Sequence, residues 1–162
     1  GMDKTMTYEK QFKNNGIEVV LWSLALPGFG QFLNRQHFKG TLLLVLEFII
    51  NIKSNLNLVI ISSFRGDIAA SLATVDFQWL MFYPCFYMYA VWDAYRDATS
   101  DRALFSYLPF ASAAFTGTIG VIYAQQFRFM GVLIGPVWLP IIFMLLGMVI
   151  GSFLKYMLVR KS

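Results

Sequence analysis

Apolar positions along this chain gather into long runs broken by short polar links. No charged residue stands between Gly131 and Leu154, and none between Ala103 and Ala124. A helix needs about 20 apolar residues to cross the hydrocarbon core of a bilayer. These two stretches alone therefore predict an integral membrane protein. Five apolar segments are legible, at 17–34, 38–63, 77–96, 103–124 and 131–157. They predict an all-α fold of four transmembrane helices plus an N-terminal re-entrant or short helix broken by Pro and Gly. Residues 1–16 form a polar N-terminus, 17–157 a single transmembrane helical domain, and 158–162 a basic tail.

The first segment carries its own stop. The run Ile17–Leu26 ends in Pro27-Gly28-Phe29-Gly30. Proline removes a backbone donor and clashes with the preceding turn, and glycine loosens the chain. At about 1.5 Å per residue, the residues before Pro27 cover only half a bilayer core. The helix either kinks and continues or turns back to its starting side. Seven residues, Asn34–Gly40, then link it to the second segment, so the two form an antiparallel helical hairpin. In the Ser63–Asp76 loop, Asp67 is placed to cap a turn or two of interfacial helix.

Charge arbitrates between the two paths, because Lys and Arg collect on the cytoplasmic side. If the first segment turns back, Lys4, Lys10, Lys13, Arg35, Lys39, Arg96, Arg102, Lys155, Arg160 and Lys161 share one side, opposed by Arg65 and Arg128. If all five segments cross, the basic residues divide almost evenly. The asymmetry favours four crossings in the cell membrane with both termini cytoplasmic. The formal net charge of +4 then reflects basic helix flanks at anionic lipid rather than nucleic-acid binding. The one cysteine, Cys85, has no intrachain partner, and Gly1-Met2 reads as a tag remnant ahead of the natural start.

Candidate chemistry is sparse. In the second segment Glu47, Asn51 and Asn55 recur at four-residue spacing and line one helix face. Ionisable groups inside a membrane are costly and mark ion or solute paths, although the same residues also serve as hydrogen-bonding glue between helices. Segment three is aromatic, kinked by Pro84, and ends in Trp92-Asp93-Ala94-Tyr95-Arg96-Asp97. Asp93 and Asp97 share a face with Arg96 within reach, which reads as a solvated, salt-bridged cap rather than a cation site. Gly117 and Gly120 in segment four, and the GxxxG pairs Gly131/Gly135 and Gly147/Gly151 in segment five, permit close helix contact within the chain or between copies.

The stretch Pro27-Gly28-Phe29-Gly30-Gln31-Phe32-Leu33-Asn34-Arg35 through Gly40 resembles the P-G-x-G-Q-x-Y-x-G-x-x-x-x-G signature of small bacterial membrane proteins akin to the TM2-domain group. Pro27, Gly28, Gly30, Gln31 and Gly40 match. Leu33 stands where Tyr is usual and Arg35 where Gly is usual. Ala90-Val91-Trp92-Asp93 looks like the aromatic-aliphatic run ending in Asp that members of that group often carry. The resemblance implies a tight membrane hairpin, not a reaction. Gly28 and Gly30 would admit the paired helix, and Gln31 and Asn34 would satisfy backbone groups opened by Pro27.

Enzyme classes fall away for want of residues. The single histidine, His37, rules out an H-E-x-x-H zinc site. There is no G-x-S-x-G turn and no phosphate-cradling Gly-Lys loop. The sequence thus predicts a non-enzymatic polytopic protein without metal or cofactor. Its partners are the lipid bilayer and either a second copy or another membrane protein, through helix–helix contact. The alternative is a small ion or solute channel or transporter lined by the polar stripe of segment two.

Overall fold

The computed structural model describes residues 2–99 and 103–162, and their backbone is mostly helical. Helix α1 spans Met2–Ala25, so the polar residues before Ile17 continue the first helix. Pro27 and Gly28 end it. Gly28 sits at φ +105°, where a Cβ would meet the Gly40 carbonyl oxygen at 2.6 Å, so only glycine fits this turn. A short helix α2, Phe29–Leu33, follows, and then α3, His37–Ser54.

Contacts show that the chain reverses at Pro27. Tyr87 Oη donates to Leu24 O at 2.5 Å near the end of α1, whereas Gly16 lies against Thr99. Helix α7, Tyr83–Thr99, is therefore antiparallel to α1. After the turn, Gly30 packs between Ser23, Val19 and Ala94, and Gln36 reaches Asp97. The first apolar segment thus returns to the end of the bundle where Gly16 lies. Helix α3 then runs back down, from Lys39 beside Asp93 to Glu47 beside Tyr83.

At Asn55 the chain bends by 66° into α4, Leu56–Phe64. Asn55 takes φ +60° and donates to Thr74 O, which ties the bend to α5, Ile68–Thr74. Asp67 caps α5 by accepting from the Ala70 amide, as its spacing predicts. Asp76 caps the single turn α6, Phe77–Leu80. Segment three is broken between Leu80 and Tyr83, and Pro84 falls in the first turn of α7, where a missing N–H costs nothing. It is a start signal there rather than a mid-helix kink.

Helix α8, Leu108–Ile122, packs antiparallel to α7, with Phe110 against Tyr95 and Gly117 against Pro84. The sequence expectation of one helix from residue 131 is corrected. Arg128–Phe129 (β1) and Val132–Leu133 (β2) form a hairpin closed by Met130 and Gly131, both at positive φ. That is the backbone of the two-residue turns that match strand twist. Gly131 and Gly135 lie outside the helices; Gly131 has open space around it and Gly135 lies against Ile68 of α5. Helix α9, Trp138–Lys161, returns along α8. Gly120 packs on the Pro140 backbone, and Thr116 Oγ1 donates to Phe143 O at 2.7 Å.

Among the described residues only α9 is by itself long and apolar enough to cross a membrane, and α3 with α4 pass that test only as a bent pair. Helix α8 and Asn15–Ala25 of α1 are shorter apolar helices. Fifteen helical residues reach about 22 Å, short of a hydrocarbon core of about 30 Å. The expectation of four full-length transmembrane helices is therefore not supported by helix length and composition.

Gly147 and Gly151 sit in the α8–α9 seam, so this GxxxG pair serves packing within the chain. A Cβ on Gly147 would meet Ser112 O at 2.6 Å, and one on Gly151 would meet Pro109 Cα at 2.7 Å. Replacing both with Leu should push α9 off α8 and destabilise the protein by about 1–3 kcal/mol per site. Thermal unfolding in detergent should show the loss, while Val149→Leu on the exposed face of α9 should leave the midpoint unchanged.

Candidate functional site

The hairpin signature and the Trp92-Asp93 run, 60 residues apart, meet in one cluster. Asp93 is fully buried, as is Gln31. The Gln31 amide donates to Asp93 Oδ2 at 3.1 Å and to Ala90 O at 3.0 Å. Lys39 Nζ lies 3.1 Å and Arg96 Nη2 3.0 Å from Asp93 Oδ1. Asn34 donates to Ala94 O at 2.9 Å. Gln36 donates to Asp97 Oδ2 at 2.7 Å, and Lys39 and Arg96 lie 3.5 and 3.4 Å from Asp97. The Arg96 guanidinium also stands 4.5 Å above the Trp92 ring.

Local sequence explains the convergence. Gln31, Asn34, Gln36 and Lys39 crowd into nine residues of link and helix start. On α7, Ala90 and Ala94 are fully buried and small enough to admit Gly30. Two expectations are corrected. Gln31 and Asn34 bond to α7 carbonyls rather than to the backbone opened by Pro27. Asp93 is not part of a solvated cap, because its compensating charge comes partly from Lys39 across the hairpin. Lys39 and Gln36 are the members that sequence reasoning missed. A buried aspartate requires a partner, and the cationic residue in the adjacent link was the available signal.

Electrostatics at this end are closed. Burial works to raise the Asp97 carboxyl, but the Gln36 hydrogen bond and the Lys39 and Arg96 charges outweigh it and hold it below the usual aspartate range. Both Asp93 oxygens are engaged. Among the described residues no group of three His, Cys, Asp or Glu side chains converges to hold a metal. The arrangement is a latch between the hairpin and α7, in which Gln31 Oε1, Gln36 Oε1 and Trp92 Nε1 are buried without a hydrogen-bond partner.

The polar stripe of segment two does not stay in register. Glu47 is buried and accepts from Tyr83 Oη at 3.3 Å. Asn51 turns its amide to Asn57 Oδ1 at 3.0 Å, and Asn55 lies past the end of α3, bonded to Thr74 O. Asn55 leaves the stripe because it takes a left-handed conformation that ends α3, whereas Asn51 stays on the Glu47 face. Glu47 and Asn51 nevertheless line one cavity of about 270 Å³, with Tyr83, Leu56 and Ile60. The packing glycines stand elsewhere: Gly117 under Met144, Gly120 on Pro140, Gly147 and Gly151 on the start and middle of α8. No family model matches the chain, and neither a curated protein nor a solved structure does.

Gln31→Leu should cost about 1–3 kcal/mol, because it removes a donor from a fully buried carboxylate. Lys39→Met should cost less, since Arg96 and Gln31 still serve Asp93; equal losses would contradict the latch. Arg35 is exposed and held at φ +60°, where a side chain is strained. Arg35→Gly should raise stability by about 1 kcal/mol, net of the greater freedom of glycine in the unfolded chain. Chemical denaturation in mixed micelles reads all three.

Proposed function

We propose that this chain is a multi-pass membrane protein of TM2-like type that acts through helix–helix contact, with a second copy or another membrane protein, and not through catalysis. The observation that carries the reading is the unpaired apolar surface of α9. Leu145, Val149 and Phe153 are each more than 60% exposed on the face opposite the glycine seam. Exposed apolar surface on that scale marks lipid or protein contact. Helix α3 shows a similar face at Phe38, Leu42, Phe48 and Ile52.

On this reading α3, α7, α8 and α9 cross and the first segment is re-entrant; the antiparallel order of those helices supports it. The distribution of charge supports the orientation. Arg35, Lys39, Arg96, Lys155, Arg160 and Lys161 gather at the latch end, while Lys53, Arg65 and Arg128 lie at the other. Arg102 lies outside the described residues. Both termini are then cytoplasmic. The TM2-like assignment draws its support from the latch, which joins the two motifs that the resemblance rests on.

A channel or transporter is the second reading, favoured by the Glu47 cavity. The bend at Asn55 interrupts a continuous polar path.

Cysteine scanning in a Cys85→Ser background tests the leading reading. Single cysteines at Leu145, Val149, Phe153, Phe38, Leu42 and Phe48 are oxidised in native membranes. Cross-linked species should appear at positions one helical turn apart on one face. If every position yields only monomer, contact with a second copy through these faces is wrong. Reporter fusions at Ser162 and in the 35–39 link should both report the cytoplasm.

A further inference from the structure

Two cavities meet around Tyr83. One holds Glu47, Asn51 and Asn57; the other, also about 270 Å³, is walled by Leu24, Tyr87, Val121, Pro136, Pro140 and Met144. Ala25, Leu56, Ile60 and Tyr83 line both, so the two adjoin as neighbouring lobes, polar on the Glu47 side and apolar on the other. Glu47 is 95% buried, and its Oε2 accepts no hydrogen bond. A carboxylate oxygen so placed calls for a partner.

We propose that this cleft binds a lipophilic organic cation, an alkylammonium whose head sits at Glu47 and whose tail runs past Tyr83 into the apolar lobe. The chemistry selects this class over the alternatives. A metal ion needs several oxygen ligands, and here the Asn51 and Asn57 amides are bonded to each other, Asn51 also supports the Glu47 carboxyl, and only Glu47 Oε2 is left without a geometric hydrogen bond. An anion would face Glu47 with no cation among the lining residues. A neutral apolar ligand would fill the second lobe and leave Oε2 unpaired. A quaternary ammonium needs no hydrogen bond, only negative charge and aromatic surface. Tyr83, stacked on Tyr87 with ring centroids 5.5 Å apart, supplies the latter beside the carboxylate.

The test uses the full chain in nanodiscs of zwitterionic lipid. Radiolabelled octyltrimethylammonium is the probe, and empty nanodiscs give the background. The expected result is one saturable site per chain, unaffected by excess octanol or octanoate. Glu47→Gln should weaken binding at least tenfold while circular dichroism and unfolding temperature show a retained fold. Ile60→Trp, which fills the space where the lobes adjoin and keeps the Glu47 carboxylate, should weaken it similarly. The proposal is overturned by wild-type binding that does not saturate above background, by equal competition from octanol, or by wild-type affinity in Ile60→Trp. If Glu47→Gln does not fold, the octanol competition and Ile60→Trp still decide. None of these readouts depends on the oligomeric state.

Discussion

The carboxylate of Asp93 organises this molecule. It is removed from water in the middle of the contact between the N-terminal hairpin and α7. A charge in that position is tolerable only with paired charge and hydrogen bonds on every side. Lys39 and Gln31 arrive from the hairpin, and Arg96 from its own helix. Lifting the hairpin away would strip two of the three. The reversal at Pro27-Gly28 is therefore held in place by polar pairing, with Gly28 against Gly40 letting the backbones come close enough for the pairing to form.

The C-terminal half follows a different logic. Helices α8 and α9 meet through small residues, and the hydroxyl of Thr116 crosses the seam to the Phe143 carbonyl. Close backbone approach supplies dispersion contacts along the whole seam. Because the seam consumes Gly147 and Gly151, the bulky residues of α9 point outward. The packing that stabilises the chain thus also creates its most exposed apolar face.

The two buried acids differ in completion. Both Asp93 oxygens are engaged. Glu47 has one hydrogen bond and one free oxygen beside a cleft. The first is a finished structural element. The second is an open valence, and the aromatic and apolar walls around it define what could complete it.

Much of the architecture was legible in the chain. Charge-free runs marked the apolar segments, Pro27-Gly28 marked the reversal, and Asp67 marked a cap, because each acts through local backbone or transfer energies. Basic residues gathered near segment ends in a pattern consistent with a returning first segment. Tertiary structure alone decided the rest. Asn55 ends α3 in a left-handed conformation that no four-residue spacing reveals, so the stripe of Glu47, Asn51 and Asn55 was drawn on a helix that stops too soon. The β-hairpin at Arg128–Leu133 straddles the start of an apolar run whose composition suits helix and strand alike. The latch joins residues 60 positions apart, and local periodicity carries no information about which distant side chain a buried charge will meet.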